Sequence, residues 1–401
     1  MKVLLVGSGA REHALAWRIA TSPTLTELHA APGNPGIAAL GHCHPVRAVD
    51  GDGLLGLAVT LAADLVVIGP EAPLVTGVAD ELRHAGIAVF GPGAEAARIE
   101  GSKSFAKEVM RAAGVATAAT LPVARPPCVV KADGLAAGKG VFVCRTTEEL
   151  DDGLRQAAAL AGTLVIEELL EGSEVSLFAL CDGTRAVPLG AAQDFKRIGD
   201  GDTGPNTGGM GAYSPAPWPD DPDELVEQIH QPVIEELARR GTPFVGCLFA
   251  GLMLTADGPR VLEFNARFGD PETQVLAPRL EGDLLEALAA AAAGSAGEGV
   301  RPGTDAAVTV VLAGPDYPAR SDYTGAPIKG IAEAEALGAL VFHGGTAVRD
   351  GALLANGGRI LSITGTGPTV AAARQLAYEG VERVSFEGMR FRTDIAAVAG
   401  G

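Results

Sequence analysis

Cysteine is scarce in this sequence, and long apolar runs are missing from it. The 401 residues include five cysteines, which are widely spaced and form no C-x-x-C pair. This odd, scattered set argues against a disulfide framework and fits a reduced cytoplasmic protein. No stretch approaches the roughly 20 apolar residues of a membrane span, and the apolar start at residues 1–6 is too short for a signal-peptide core. We therefore expect a cytoplasmic protein without a membrane partner.

Positive charge is also in short supply. The chain has 31 lysines and arginines against 49 aspartates and glutamates, a formal net charge of −18. Such a balance argues against nucleic acids and anionic membranes as partners. An anionic substrate must then be held by a local basic cluster within an acidic surface.

The glycine-rich segment at residues 128–144 lacks a feature of the Walker A loop. Gly140 follows Lys139, where that loop needs a Ser or Thr hydroxyl for Mg²⁺. The apolar residues 141–144 indicate a second strand, so the loop is predicted to be the tip of a hairpin. Its glycines would let backbone N–H groups approach phosphate oxygens, while Lys131 and Lys139 supply charge. The alternative is a flexible turn with solvated lysines.

A strand about 120 residues further on carries two oxygen donors. Side chains alternate along a strand, so Glu263 and Asn265 share one face while Leu262 and Phe264 pack on the other. Two such donors suit a hard cation such as Mg²⁺, which takes other oxygens from phosphates and water. A polar face exposed to water is the alternative. The charged turn at residues 267–272 favours a metal site beside a substrate loop.

The length predicts about two to four domains. In the first 100 residues, strands at 3–6, 65–68 and 88–90 alternate with helices at 12–20 and 77–85, the doubly wound α/β pattern. Gly7 and Gly9 imitate a dinucleotide fingerprint, but Glu12 replaces its third glycine and would oppose a pyrophosphate. A phosphate or ribose site at the helix start, near Arg11, is the interpretation we prefer.

The middle of the chain contains two further candidate segments. Residues 164–170 predict a buried strand whose backbone could bind an adenine edge, followed by Glu174 for ribose hydroxyls; an edge strand with an acidic turn is the alternative. Residues 191–215 are predicted to be a long irregular loop, and its charged residues favour a functional one. From about residue 306 the chain is strand-rich, with one predicted helix at 369–378.

Taken in order, these segments resemble the phosphoribosylamine–glycine ligase family of ATP-grasp enzymes. The matches span nearly the whole chain: GSGAREHALAW at 7–17, APGNPG at 31–36, GPEAPL at 69–74, EGSKSFAK at 100–107, KADGLAAGKGV at 131–141, QDFKRIGDGDTGPNTGGMGAYSPAP at 193–217 and LEFNARFGDPETQ at 262–274.

The resemblance implies an α/β fold of three domains. These are an N-terminal doubly wound parallel-sheet (Rossmann-like) domain at 1–101, a central α+β ATP-grasp domain at 102–303 with a small lid at about 118–187, and a C-terminal strand-rich domain at 304–401. It further implies ATP and Mg²⁺ (or Mn²⁺), the small-molecule substrates glycine and 5-phosphoribosylamine, and a monomer. Glycine would be activated as glycyl phosphate and then joined to the amine. Such phosphoryl transfer relies on positioning and charge neutralisation, which agrees with the lack of a Ser-His-Asp or Cys-His set.

The same resemblance implies a role for each matching residue. ATP would be bound by Lys103, Lys131, Gly138, Lys139, Gly140, Glu167, Glu168, Leu170 and Glu174. The metal ligands would be Glu263 and Asn265. Glycine and the transferring phosphoryl group would be handled by Asp194, Lys196, Arg197, Asn206 and Arg267. The phosphoribosylamine side would be formed by Gly9, Arg11, Glu12, Asn34 and Glu71, and Asp270 and Glu272 would also bind substrate.

The chain departs from the family pattern in its lid. The lid element is cut short between Thr117 and Val129, and the stretch between Gly153 and Leu164 is compact. Two other functions remain as alternatives. Another ATP-grasp ligase or carboxylase would share the Lys, Glu and Asn residues but not the loop at 193–217, and a non-catalytic nucleotide- or NAD-binding protein would need only the first domain.

Overall fold

The computed structural model describes residues 1–135, 140–218, 221–297 and 299–397. The N-terminal segment contains a five-stranded parallel sheet in the order β3-β2-β1-β4-β5. Its elements are β1 (Lys2–Gly7), α1 (Ala10–Ile19), β2 (Glu27–Pro32), α2 (Pro35–Ala38), β3 (His42–Cys43), α3 (Gly51–Leu61), β4 (Leu65–Ile68), α4 (Glu71–Val75), α5 (Val78–His84), β5 (Val89–Phe90) and α6 (Ala94–Gly101). β1 and β4 are continuous apolar runs because a parallel sheet is covered on both faces. The predicted doubly wound fold is confirmed.

A helix and a small sheet follow. They are α7 (Lys103–Ala113), β6 (Cys128–Ala132), β7 (Val141–Cys144), α8 (Thr147–Leu160) and β8 (Leu164–Glu168). The Ser102 hydroxyl accepts from the Phe105 N–H at the start of α7, and Gly114 ends that helix with φ +71°. The three strands form an antiparallel sheet in the order β7-β6-β8, and α8 packs on it over a core of its own around Val130. The glycine-rich loop therefore joins two antiparallel strands, as predicted.

The larger sheet of the molecule has eight strands. The middle of the chain supplies five of its strands, β9 (Ser173–Asp182), β10 (Ala186–Asp194), β13 (Gly211–Ser214), β14 (Val245–Thr255) and β15 (Gly258–Asn265). The other elements of this region are β11 (Arg197–Gly199), β12 (Thr203–Asn206), α9 (Pro222–Leu225), a π-helical turn (Val226–His230), α10 (Gln231–Arg239), α11 (Thr273–Arg279), β16 (Leu280–Gly282) and α12 (Leu284–Ala292). The expectation of an irregular loop over 191–215 was wrong, because backbone hydrogen bonds pair β11 with β12 and β13 with β10.

The C-terminal segment continues the same sheet. Its elements are β17 (Val300–Pro302), β18 (Ala306–Ala313), β19 (Thr324–Pro327), α13 (Ile331–Ala336), β20 (Leu340–His343), β21 (Thr346–Arg349), β22 (Ala352–Asn356), β23 (Arg359–Gly367) and α14 (Val370–Val381). The strand order is β15-β14-β9-β10-β13-β18-β23-β20, with β13 and β18 antiparallel across the junction. The strand-rich character is confirmed, but the expectation of a single helix was wrong, since α13 precedes α14.

The N-terminal and C-terminal segments meet through buried polar contacts. The His343 N–H donates to His13 Nδ1 at 2.8 Å, and Asn34 Nδ2 donates to the His343 carbonyl at 2.7 Å. Burial lowers the pKa of His13 to about 3 and that of His343 to about 4, so both rings are neutral near neutral pH. This contact holds the start of α1 against the end of β20.

Candidate active site

The lysine of the glycine-rich hairpin is held by a buried glutamate. Lys131 Nζ lies 2.7 Å from Glu167 Oε2 and donates to the Leu262 carbonyl at 2.8 Å. Lys107 Nζ on α7 lies 2.7 Å from the other oxygen of Glu167, which is 2% exposed. The carboxylate therefore bridges two ammonium groups. Its place near the adenine stays a prediction.

Lys103 lies next to the same hairpin. Its Nζ donates to the Gly134 carbonyl at 2.9 Å, while its backbone N–H donates to Asp133 Oδ1 at 2.6 Å. Burial lowers the pKa of Lys103 despite nearby carboxylates. The Gly140 carbonyl accepts from the Ala132 N–H at 2.8 Å. The predicted phosphate ligands Gly138 and Lys139 lie outside the described residues.

Glu263 is surrounded by positive charge. Its strand, β15, pairs with β14 so that Glu263 lies opposite Gly251. Burial alone would raise the pKa of Glu263, but the nearby cations lower it below the ordinary value; these are Lys196, Lys131, Lys103 and Arg267. The carboxylate is thus ionised, and a polyphosphate would meet three lysines beside it.

The donor chemistry at β15 fits a hard divalent cation. Glu263 supplies an ionised carboxylate, and the Asn265 amide oxygen accepts from Arg267 Nη2 at 3.2 Å. No cluster of three or more His, Cys, Asp or Glu able to hold a metal ion occurs within the described ranges. The pair therefore suits a cation that takes most of its oxygens from phosphates and water rather than from protein.

Acidic side chains surround Lys196 at the end of β10. Lys196 Nζ forms an ion pair with Glu174, and the Glu272 carboxylate accepts from the Ser176 hydroxyl at 3.2 Å. Withdrawal from water raises the pKa of Asp194; Glu272 and Glu174 raise it further, whereas Lys196 lowers it. Glu174 thus lies beside Lys196 in the site, and its predicted contact with the ribose stays a prediction.

Arg267 joins the two halves of the site. Its Nη2 lies 3.0 Å from Glu100 Oε1, and its Nε lies 3.4 Å from Glu71 Oε2. Burial raises the pKa of Glu100, which Arg267 opposes. On one side Arg267 lowers the pKa of Glu263, and on the other that of Asp270. The guanidinium thus lies between the lysine cluster and the N-terminal edge.

At the N-terminal edge, Glu12 supports the backbone instead of facing solvent. One of its oxygens accepts from the Gly9 N–H at 2.6 Å and the other from Arg11 Nε at 2.5 Å. Glu71 Oε2 lies 3.9 Å from Arg11 Nη1. Asn34 Oδ1 accepts from the Ile37 N–H at 2.9 Å, and its amide nitrogen donates to backbone carbonyls of Ser8 and His343. Glu12 and Asn34 therefore shape this edge.

Among the described residues, four other predicted ones form no ion pair within the charged cluster. Arg197 is exposed and donates to the Gly204 carbonyl at 2.6 Å, and Asn206 pairs with it across the β11–β12 hairpin. Glu168 accepts from the Ala119 N–H at 2.7 Å, and Leu170 lies half-buried between β8 and β9. Of these four residues, Glu168 acts electrostatically on Lys107 of the site.

Sequence reasoning missed Lys107, Glu100 and Arg359. Lys107 lies four residues after Lys103 on α7, a spacing that places both on one helix face. Glu100 precedes that helix and accepts from the Ala266 N–H at 2.7 Å. Arg359 comes from β23 and lies 3.0 Å from Asp270 Oδ2. Of the three, only Lys107 could have been found from the local sequence, through its spacing from Lys103.

Comparison with known proteins identifies the family. Models of the phosphoribosylglycinamide synthetase N domain, ATP-grasp (A) domain and C domain match residues 1–100, 101–273 and 307–398. The chain belongs to the phosphoribosylglycinamide synthetase family. A phosphoribosylamine–glycine ligase from Streptomyces coelicolor is 52% identical over 420 residues, covering 100% of both chains. One from Mesorhizobium japonicum is 48% identical and covers 98% of this chain and 97% of the relative.

A solved structure extends the likeness to three dimensions. The crystal structure of phosphoribosylamine–glycine ligase from Thermotoga maritima has a TM-score of 0.85 and 35% identity, covering 99% of this chain and 100% of that one. The biotin carboxylase domain of Hydrogenobacter thermophilus 2-oxoglutarate carboxylase, at 16% identity and a TM-score of 0.70, shares the fold. The predicted family and fold class are thus confirmed. ATP-grasp enzymes bind ATP with divalent metal ions. None of the helices in the described ranges is long and apolar enough to span a bilayer.

Proposed function

We propose that this chain joins glycine to 5-phosphoribosylamine at the expense of ATP, giving glycinamide ribonucleotide, ADP and phosphate. The supporting observation is the convergence of Lys103, Lys131 and Lys196 on the ionised Glu263, with Arg267 connecting this cluster to the N-terminal edge. The family assignment and the full-length relatives with this name support the same reaction. Mg²⁺, or Mn²⁺, is the metal we propose, and Glu263 and Asn265 would hold it to neutralise phosphate charge.

The chemistry requires positioning more than an enzyme nucleophile. A glycine carboxylate oxygen attacks the γ-phosphorus of ATP, the bond to the β-phosphate oxygen breaks, and glycyl phosphate and ADP form. The phosphoribosylamine nitrogen then attacks the glycyl carbonyl, phosphate leaves, and the nitrogen loses a proton. Lys103, Lys131 and Lys196 would stabilise the charge that develops on the transferring group. We propose that Asp194 binds the glycine ammonium and that Arg267 helps to hold the glycine carboxylate, the transferring phosphoryl group and the product.

Water must be excluded, because an acyl phosphate hydrolyses. The β7-β6-β8 sheet with α8 has its own core and would act as the lid. We propose a lid at about 118–187 and domain divisions after residues 101 and 303. We further propose a cytoplasmic monomer; its five cysteines are free, and four are buried.

The test is ADP release by purified protein with ATP, Mg²⁺ and freshly made phosphoribosylamine, with and without glycine. We expect turnover only when glycine and the amine are both present, with glycinamide ribonucleotide formed in step with ADP. ADP release that is indifferent to glycine would contradict the proposal and favour another ATP-grasp ligase or carboxylase.

In acid, kcat/KM for glycine should begin to fall at a higher pH than an ordinary aspartate would give. Because the pKa of Asp194 is raised, the residue becomes protonated at a higher pH than an ordinary aspartate, whose pKa is about 3.9. A neutral acid loses its attraction for the glycine ammonium, so kcat/KM for glycine will fall as the pH drops through that pKa. Steady-state rates from about pH 5 to about pH 9 will show this fall in the wild type and its loss in Asp194→Asn. The same fall in the variant would assign it to another group.

A further inference from the structure

A pocket of about 330 Å³ lies where the three segments of the chain meet. Its lining includes Ser8, Gly9, Asp270, Gly344, Arg359 and Ser362. Ser8 and Gly9 lead into α1, Asp270 follows β15, and Gly344 follows β20. No single segment could form this pocket, so its shape depends on contacts that tie the segments together.

Arg359 makes such contacts with two loops of the central segment. Its Nη1 donates to the Asp270 carbonyl at 2.9 Å and to the Gly208 carbonyl, and its Nη2 lies 3.0 Å from Asp270 Oδ2. A planar guanidinium can make these bonds at fixed relative angles, which an ammonium cannot. The side chain thus fixes the Gly208 loop relative to Asp270.

The two loops also lie in close contact beside this side chain. Gly209 has φ +105°, and a Cβ there would lie 2.4 Å from Pro271 Cδ. The Gly208 N–H donates to the Tyr317 hydroxyl at 2.8 Å, a second contact from the C-terminal segment. Asp270 Oδ1 accepts from Gln274 Nε2 at 2.8 Å, so both carboxylate oxygens are oriented.

Charge distinguishes this pocket from the lysine cluster. Burial would raise the pKa of Asp270, but Arg359, Arg11 and Arg267 lower it, so the carboxylate is ionised. The lysines that surround Glu263 are absent from the described pocket lining. This side of the site therefore suits the amine substrate better than the triphosphate.

We infer that Arg359 is a positioning residue for the phosphorylated amino sugar, acting from the C-terminal sheet through Asp270 and the Gly208 carbonyl. The inference rests on the proposed function. Loss of the guanidinium lets Asp270 and the glycine loop separate, which misplaces the amine acceptor while the lysine cluster that activates glycine keeps its own contacts.

The test separates the two half-reactions. Hydroxylamine can replace the amine and trap glycyl phosphate as glycine hydroxamate, which reports activation alone. For Arg359→Ala we expect the KM for phosphoribosylamine to rise about tenfold or more, with a smaller change in hydroxamate formation. Arg359→Lys, which retains charge but not the planar fork, should restore only part of the affinity and serves as the test if the alanine variant does not fold. Arg349→Ala, an exposed arginine of the same segment, is the matched control.

A double-mutant cycle identifies the route. If Arg359 acts through Asp270, the KM changes of Arg359→Ala and Asp270→Asn will not add, and the double variant will resemble the weaker-binding single variant. The inference would be overturned if hydroxamate formation falls by as large a factor as the affinity for phosphoribosylamine. It would also be overturned if the KM changes of the two single variants add in the double variant, or if Arg359→Lys restores the full affinity. If wild-type protein forms no glycine hydroxamate, the proposed function itself fails, which is a different outcome.

Discussion

Glu263→Ala should lower kcat by at least about 10²- to 10³-fold and leave the protein folded. The carboxylate is ionised among four cations, and its removal eliminates the only charged oxygen donor of the proposed metal pair. The metal would then be held by Asn265 and phosphates alone, and the positive charge of the nearby lysines would lose its compensating carboxylate. ADP release that depends on glycine and the amine should be measured across Mg²⁺ concentrations.

Two controls make the Glu263 result specific. Asp257→Ala removes an exposed carboxylate from the turn between β14 and β15 of the same hairpin, and we expect near wild-type turnover. Circular dichroism and thermal unfolding will show whether the Glu263 variant is folded. If a folded Glu263→Ala protein keeps turnover within about threefold of wild type at every Mg²⁺ concentration, the metal assignment is wrong.

Arg267→Ala should reduce both activity and stability. Glu100 and Glu71 lose their shared partner, and the side chain of Glu100 is only 8% exposed. Removing one partner of a buried ion pair typically costs about 3–5 kcal/mol, because the other charge is left buried. We also expect kcat/KM to fall about 100-fold, since Arg267 lies between Glu263 and Asp270.

The stability loss should depend on pH in a defined direction. The pKa of Glu100 is already raised by burial, and without Arg267 it will rise further. When the pKa of an acid is higher in the folded protein than in the unfolded chain, the fold loses stability as the pH rises from the unfolded-state pKa toward the folded-state pKa. Denaturant unfolding should therefore show a larger loss near pH 8 than near pH 5, by about 1 kcal/mol or more.

Substitution of Glu100 separates stability from activity. In the double variant Glu100→Gln/Arg267→Ala the buried charge is gone, so much of the stability should return while activity stays low. Arg301→Ala, which breaks the exposed pair with Glu281 at 3.1 Å, is the matched control and should cost at most about 1 kcal/mol. Full activity in the double variant would show that Arg267 serves the fold alone.

Local patterns predicted those parts of the site that lie within one element. Glu263 and Asn265 share a strand, so the period of two places them on one face. The hairpin at 128–144 was predicted because its apolar runs flank a glycine-rich loop. The ion pairs of Glu167 with Lys107 and Lys131 were not predicted, because a strand pattern shows that a side chain is buried but not which cations reach it.

Contacts between distant residues had no such signal. Arg267 and Glu100 are 167 residues apart, and the Arg359 bond to the Asp270 carbonyl spans 89 residues. The irregular loop predicted at 191–215 contains a hairpin and a strand whose partner, β18, comes about 100 residues later. A residue composition rich in glycine conceals such pairing, because glycine has low strand propensity even where a partner strand is available.

By itself, the sequence determined the parallel N-terminal sheet, the glycine-rich hairpin, the Glu263–Asn265 face and, through its motifs, the family. These features depend on alternation, helical spacing and turn residues, which are properties of neighbours along the chain. The tertiary structure alone decided that one eight-stranded sheet crosses the proposed boundary near residue 304 and that Arg267 and Arg359 connect the segments. Those features depend on which buried charges find partners, and burial is known only once the whole chain has packed.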